Sequence, residues 1–365
     1  MSKLLDPFVI KAAKFIKTTG CYKQKDFEEC FVTNHQGWGV IARSSDFKIE
    51  NDHLLKSAAY INHNSKTIVI ATVGTNFTIN KQGFCDIIDD IHIVSGKIVP
   101  KFADMKNFVD QLIKVVGKEK LNEYKIITTG HSLGAVLSDM TAVYAKSKGL
   151  NVAESITFDN PGSKPIIENL LKQNAFSNFT ITGLKNEINF ETYTSTPNII
   201  NTCNEQIGTH YFAAQKKTIK KAKFDAGISF VSMFYNTGKF LVKTLKNFTN
   251  NNIEHRLDKV IFRLENSSIY KVSNKDWLNG KITVKLDKTY EPVLNNMDLK
   301  SKVQVSDKDY LKLTTTESTL VKINSEYLAM AFEKVTPCLE LGYNIGCHAI
   351  EKVDLIGDTF FPEAA

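Results

Sequence analysis

Residues 125–137 read Lys-Ile-Ile-Thr-Thr-Gly-His-Ser-Leu-Gly-Ala-Val-Leu, and no other stretch of this 365-residue chain restricts its fold as much. Lys125–Thr129 is short, apolar and β-branched, which suits a buried strand. Leu133, Val136, Leu137, Met140 and Val143 then recur at helical spacing over Leu133–Ala145. Between the two, Gly130-His131-Ser132-Leu133-Gly134 must reverse the chain in a tight, strained turn. Glycines two residues either side of Ser132 leave room for that turn against neighbouring backbone. Such a turn lifts a serine hydroxyl clear of a sheet and points the first helix amides at the reacting centre. A bare G-x-S-x-G match is weak. Set between this strand and this helix, it predicts a nucleophile elbow with Ser132 as the nucleophile.

The length allows one large α/β domain with an appendage, or two domains. Hydrophobic content of 42% and charged content of 23% describe an ordinary soluble globular protein. A net charge of +7 favours anionic surfaces but falls far short of the basic stripe of a nucleic-acid binder, so no nucleic-acid partner is expected. No apolar run approaches transmembrane length. Met1–Gly20 alternates lysines with apolar residues and reads as an amphipathic helix, lacking the continuous apolar core and small-residue cleavage site of a secretory signal. A cytoplasmic or peripheral-membrane location is expected, with export by another route left open. The six cysteines (Cys21, Cys30, Cys85, Cys203, Cys338, Cys347) show no C-x-x-C spacing, so neither a metal nor a cofactor is expected. Reduced thiols are the default, and Cys21–Cys30 is a candidate disulfide only if the protein leaves the cell.

Along the chain, Gly37–Ala42 reads as a strand and residues 57–73 as a hairpin turning through His63-Asn64-Ser65. Phe102–Val116 carries an apolar face at helical spacing. After the elbow come a strand at Glu154–Phe158, a helix at Lys164–Gln173, and strands at Ile188–Thr194 and Thr209–Ala213. Strands alternating with helices at this spacing imply a three-layer α/β sandwich around a mostly parallel sheet. After about residue 265 the pattern changes to an exposed strand at Lys281–Leu286, a polar mixed stretch at Lys300–Leu313, and a helix at Leu320–Glu333. The expected division is therefore a main domain over 1–265 and a small C-terminal α+β accessory region over 266–365.

The neighbours of the elbow carry a family resemblance. Thr67-Ile-Val-Ile-Ala-Thr-Val-Gly74-Thr75-Asn76 resembles the strand and arginine-glycine-threonine turn of class 3 (fungal lipase-like) lipases, within the α/β-hydrolase superfamily. Asp86–Ile91 is similar to the acidic segment that follows, and Thr157–Gly162 sits where the family carries an aromatic-glycine-x-proline-arginine stretch. Val73 stands at the expected arginine, Ala135 at a second glycine after the elbow, and Asp159 at a glycine position. The resemblance covers roughly residues 35–265. It implies a lipase-type serine hydrolase whose triad runs serine, acid, histidine along the chain.

Ser132 needs a general base. The family's catalytic histidine lies in a loop ahead of a final helix, and Asn251–His255 followed by Leu257, Val260, Ile261 and Leu264 fits; we take His255, with His210 as the alternative. The family's acid falls at Asn198 in the best register, and an amide cannot stabilise imidazolium as a carboxylate does. Asp159 ends the preceding strand and would face the carboxyl edge of the sheet, so we take it as the acid; the alternative is that it caps the turn into Pro161-Gly162. The oxyanion hole should use the Leu133 amide and, by resemblance, Thr75.

The resemblance also implies a lid after the oxyanion turn. Asn76–Ile93 supplies an apolar face with Gly83 as a hinge, though an ordinary buried helix would read the same way. Residues 216–248 place Lys216, Lys217, Lys220, Lys221 and Lys223 ahead of a bulky apolar stripe, which suits peripheral contact with an anionic membrane or, equally, a solvated face over a core helix. The reading is a serine hydrolase cleaving carboxylic esters of lipids, a phospholipase or lipase. Its rivals are a non-enzymatic lipase-like signalling or interaction module, favoured by Asn198 and Val73, and a soluble small-ester hydrolase.

Overall fold

The computed structural model describes residues 5–21, 24–47, 55–74, 98–173, 179–195, 201, 203–214, 257–266, 268–274, 277, 281–285, 303–306 and 310–314. Eight strands form one sheet in plain chain order: β1 (Gly39–Arg43), β2 (Ser57–Asn62), β3 (Thr67–Thr72), β4 (Lys125–His131), β5 (Val152–Phe158), β6 (Asn189–Thr194), β7 (Thr209–Ala214) and β8 (Ser268–Val272). β1, β2 and β3 pair antiparallel, β3 through β7 are parallel, and β8 returns antiparallel along β7. The architecture is the expected α/β-hydrolase sandwich with a mostly parallel central sheet. Because β8 closes on β7, the large sheet runs past residue 265.

The crossovers explain the layers. α3 (Phe102–Val116) joins β3 to β4, α5 (Leu133–Ser147) joins β4 to β5, and α6 (Lys164–Lys172) and α7 (Ile181–Glu187) join β5 to β6. Successive parallel strands laid down in one direction put right-handed crossovers on one face. Phe108, Leu112, Val136, Met140, Ile166 and Leu184 accordingly share one buried cluster with Ile68, Ile70 and Ile126 of the strands. The opposite face needs cover from elsewhere. α1 (Pro7–Thr19) and α8 (Leu257–Asn266) supply it, packing Phe15, Ile16, Val260 and Leu264 on Val69, Ala71, Ile127 and Ile156. Odd and even residues of β2, β3 and β4 thus serve different clusters, and strands buried on both faces read as the continuous apolar runs seen in the sequence.

α1 begins at Pro7 because Pro suits the first helical position and Asp6 caps it, accepting from the Phe8 amide at 2.9 Å. α2 (Gln24–Asn34) stacks Phe27 and Phe31 on Tyr60. It, α4 (Lys118–Asn122), α7 and β8 are short and carry weak periodicity, and the sequence reading did not anticipate them. The stretch at 300–313 holds two strands, β10 (Val303–Ser306) and β11 (Tyr310–Thr314), in a separate three-stranded antiparallel sheet with β9 (Lys281–Lys285). The expected helix at 320–333 lies outside the described residues.

Candidate active site

The elbow is built as its glycines require. Ser132 sits between β4 and α5 at φ 59° and ψ −130°, a conformation that costs a non-glycine residue about 1–3 kcal/mol. A β-carbon on Gly130 would lie 1.9 Å from the Gly134 carbonyl oxygen, and one on Gly134 would lie 2.5 Å from that of Thr72. Each glycine is needed for close backbone approach, and together they wedge the start of α5 against the end of β3. Gly74 abuts the same point, since its β-carbon would meet Ser132 Cβ at 3.1 Å. The turn after β3, where the oxyanion residue Thr75 is expected, therefore leaves the sheet directly beside the serine. Thr75 itself lies outside the described residues. Leu133 opens α5 immediately after Ser132, so its amide belongs to the helix N-terminus at the serine.

Asp159 follows β5 at the same edge of the sheet. It is completely buried and has φ 42°, the left-handed region that favours the glycine found there in the family. Its carboxylate is richly supplied with donors. Oδ1 accepts from the Ser195 amide at 2.7 Å and from Asn201 Nδ2 at 3.1 Å, and Oδ2 accepts from Ser195 Oγ at 2.7 Å. The alternative role of capping the next turn belongs to its neighbour, because Asn160 Oδ1 accepts from the Gly162 amide at 2.8 Å.

Behind this turn lies a second buried carboxylate that the sequence reading passed over. Asp139, on the inner face of α5, accepts from Ser155 Oγ at 2.6 Å, Asn160 Nδ2 at 2.8 Å and Ser163 Oγ at 2.5 Å. Burial pushes its carboxyl up to about 6, against the pull of those three donors. Asp139 thereby ties the elbow helix to β5 and to the turn that carries Asp159. An aspartate in the middle of a largely apolar helix was the available signal.

Of the histidines after the elbow, His210 is inside the fold. It is buried, its Nε2 lies 2.8 Å from Thr194 Oγ1, and its ring meets Trp277 edge-on at 4.5 Å. Burial drives its imidazole down to about 3, with the Asn274 side chain and the Asp159 charge acting in the opposite direction. His255 lies just ahead of α8 in the chain and, with Asn198, the segment 76–93 read as a lid or a buried helix, and the stripe at 216–248, falls outside the described residues. Among the described residues, no group of three or more His, Cys, Asp or Glu side chains could hold a metal ion, and no helix is long and apolar enough to cross a membrane.

A strained serine between a parallel strand and a helix, on a sheet of this topology, defines the α/β-hydrolase class. A family model for class 3 lipases matches residues 69–176, the span from β3 through the elbow to the end of α6. The uncharacterized protein RP165 of Rickettsia prowazekii (strain Madrid E) is 31% identical over 287 residues, which cover 76% of each chain. The chain belongs to the class 3 lipase family. Among solved structures, the Lip2 lipase of Yarrowia lipolytica aligns at 16% identity with a TM-score of 0.40, over 59% of this chain and 82% of its own. The lipase of Rhizopus microsporus var. chinensis aligns at 15% identity with a TM-score of 0.35, over 56% and 72%.

Proposed function

We propose that this lipase-type serine hydrolase cleaves carboxylic esters of lipids, with phospholipid as the preferred substrate, through an acyl-enzyme on Ser132. Ser132 Oγ attacks the ester carbonyl while His255 takes its proton, and the alcohol leaves with that proton. Water activated by the same histidine then releases the acid. Asp159 holds and charge-stabilises the imidazolium. The Leu133 amide and Thr75 receive the developing oxyanion, a role in which losing one donor typically costs about two to three orders of magnitude in rate.

One observation carries this reading. The strained Ser132 and the buried Asp159 leave adjacent parallel strands at one edge of the sheet, the edge where sites of this architecture collect. Phospholipid is preferred because of the lysine-flanked apolar stripe at 216–248, which suits peripheral contact with an anionic membrane. The β9–β11 sheet carries no motif and is read as part of an accessory region.

A fluorophosphonate probe tests the reading. Label should fall on Ser132 in native protein and be lost on denaturation. Ser132→Ala and His255→Ala should each abolish ester hydrolysis, and the double variant should do little more than either, because a triad acts as a unit. Near-normal turnover in Ser132→Ala ends the hydrolase proposal and leaves the lipase-like interaction module as the reading to pursue.

A further inference from the structure

α1 ends in a turn that carries Cys21, and α2 carries Cys30, nine residues further on. Their sulfurs lie 3.3 Å apart, the Cys21 thiol donating to Cys30. The backbone on both sides is fixed without them. The Cys21 amide donates to the Thr18 carbonyl oxygen at 3.1 Å, and Cys30 sits inside α2. The two helices are joined elsewhere by His35, which follows α2, stacks on Phe15 at 4.0 Å and meets Thr18 Oγ1 at 2.9 Å through Nε2. Both thiols are free and only half-buried, so a small reagent can reach them. Burial, reinforced by Cys30 and Asp26 and opposed by Lys17, pushes the Cys21 thiol up to about 11, so Cys21 keeps its proton at neutral pH. The junction also borders the edge of the sheet that carries Ser132. A β-carbon on Gly20 would lie 3.9 Å from Val73 Cγ2, and Val73 precedes the Gly74 that abuts Ser132.

We infer that Cys21 and Cys30 form a redox-modification site, at which a small-molecule disulfide oxidises the pair to a bridge that staples α1 to α2. At 3.3 Å the sulfurs stand about 1.3 Å beyond bonding distance, a gap that small side-chain rotations close. Exchange runs in two steps. One cysteine, having given its proton to solvent, attacks a sulfur of the reagent; the reagent's S–S bond breaks and one half leaves as a thiolate that takes up a proton. The other cysteine, deprotonated in turn, attacks the mixed disulfide, closes the Cys21–Cys30 bond and expels the second half. The two cysteines together lose two electrons, and the reagent is reduced to two thiols. The second step joins groups already in contact, so it outruns accumulation of the mixed disulfide. Each step is reversible, so the bridge follows the balance of thiols and disulfides around the protein. Once closed, it removes chain entropy from the unfolded state.

The test incubates the full chain with excess oxidised glutathione, blocks the remaining thiols by alkylation and maps a non-reducing digest by mass spectrometry. The native protein should yield chiefly one linked peptide, joining Cys21 to Cys30, that disappears on treatment with dithiothreitol. In denaturant, bridges should instead scatter among the six cysteines. The bridge should raise the melting temperature by about 2–5 °C, and the oxidant should give no such rise in Cys21→Ser or Cys30→Ser. A stable glutathione adduct on either cysteine of the native parent, two thiols that stay open to alkylation, or pairings as scattered as in denaturant would each overturn the inference. So would a bridge that leaves the melting temperature unmoved. If a serine variant does not fold, the linked peptide and the melting shift of the parent decide alone. Ester hydrolysis is not among the readouts, so the outcome is independent of the roles given to Ser132, His255 and Asp159.

Discussion

The amide of Ser132 donates a hydrogen bond to the carbonyl oxygen of Phe158 at 3.1 Å, the last rung between β4 and β5 before both strands turn away from the sheet. Ser132 and Asp159 therefore flank a single backbone contact. Each leaves that rung with a positive φ, 59° and 42°. Local strain at both residues is balanced by what surrounds them, glycine contacts at the serine and three hydrogen bonds at the aspartate.

The glycine contacts give the first prediction. In Gly134→Ala the new methyl would lie 2.5 Å from the Thr72 oxygen and 2.7 Å from the Val73 carbonyl carbon, backbone atoms at the end of β3 and just after it that cannot yield separately. Overpacking of this kind costs about 1–3 kcal/mol and occasionally more, so the urea midpoint should drop sharply. Gly39→Ala meets an Ile61 methyl at 3.4 Å and the Ile61 carbonyl oxygen at 3.9 Å, both ordinary contacts, and should change stability by less than about 1 kcal/mol. Equal, small effects at both sites would mean that the elbow can relax and is not held by β3.

That elbow was legible in the sequence because everything that shapes it is local: a β-branched run, two glycines and a helix period within residues 125–145. The central strands were legible for a similar reason, since burial on both faces leaves an apolar run. α7 and β8 were not, because short elements with mixed polarity are held by tertiary packing rather than by their own pattern. The site divides the same way. Ser132 announces itself through its turn, but the donors on Asp159 come from residues 36 and 42 positions away. No spacing rule encodes such partners. The division of labour between Asp159 and Asn160 was equally hidden, since either residue type can cap a turn and only the fold shows that Asn160 does.

The acid assignment gives the second prediction. Asp159→Asn should lower turnover by about three to four orders of magnitude, as amide-for-acid replacement does in a serine triad. Asn198→Ala should cost far less. Steady-state kinetics on the folded variants decides, and the reverse ranking would make Asn198 the orienting group and Asp159 a clamp between β5 and β6.

Stability should depend on pH in a window set by three buried groups. His35, stacked on Phe15 at 4.0 Å and 2.9 Å from Thr18 Oγ1, is pushed by burial down to about 4, and His210 down to about 3. Both are depressed from an ordinary value of 6.5, so their contribution is complete above that pH and is lost as pH falls toward the folded values. Asp139 runs the other way. Raised from 3.8 to about 6, it gains stability as pH falls through 6. Two protons favouring the unfolded chain against one favouring the folded chain leave a net of one, so stability should fall by about 1.4 kcal/mol per pH unit between roughly 6 and 4. Asp139→Asn removes the opposing group and should steepen the fall. Urea midpoints across this range check it, and a flat profile in either protein would show that these groups do not titrate as their burial dictates.

The last prediction concerns the surface on which the enzyme works. If Lys216–Lys223 and the apolar stripe after them dock on anionic lipid, each lysine near the surface contributes about 1 kcal/mol. Reversing Lys216, Lys220 and Lys223 to glutamate should then weaken binding to phosphatidylserine-containing vesicles by several kcal/mol, since each change replaces an attraction with a repulsion. The attraction is screened over about 8 Å at physiological salt, so raising the salt should mimic the substitutions in the parent protein. Turnover of a short water-soluble ester should survive both treatments, because neither touches Ser132, His255 or Asp159. Vesicle binding and phospholipid turnover that ignore both charge reversal and salt would assign the stripe to the protein's own core. The soluble-ester reading would then lead, because the proposed triad requires no membrane contact to act on its substrate.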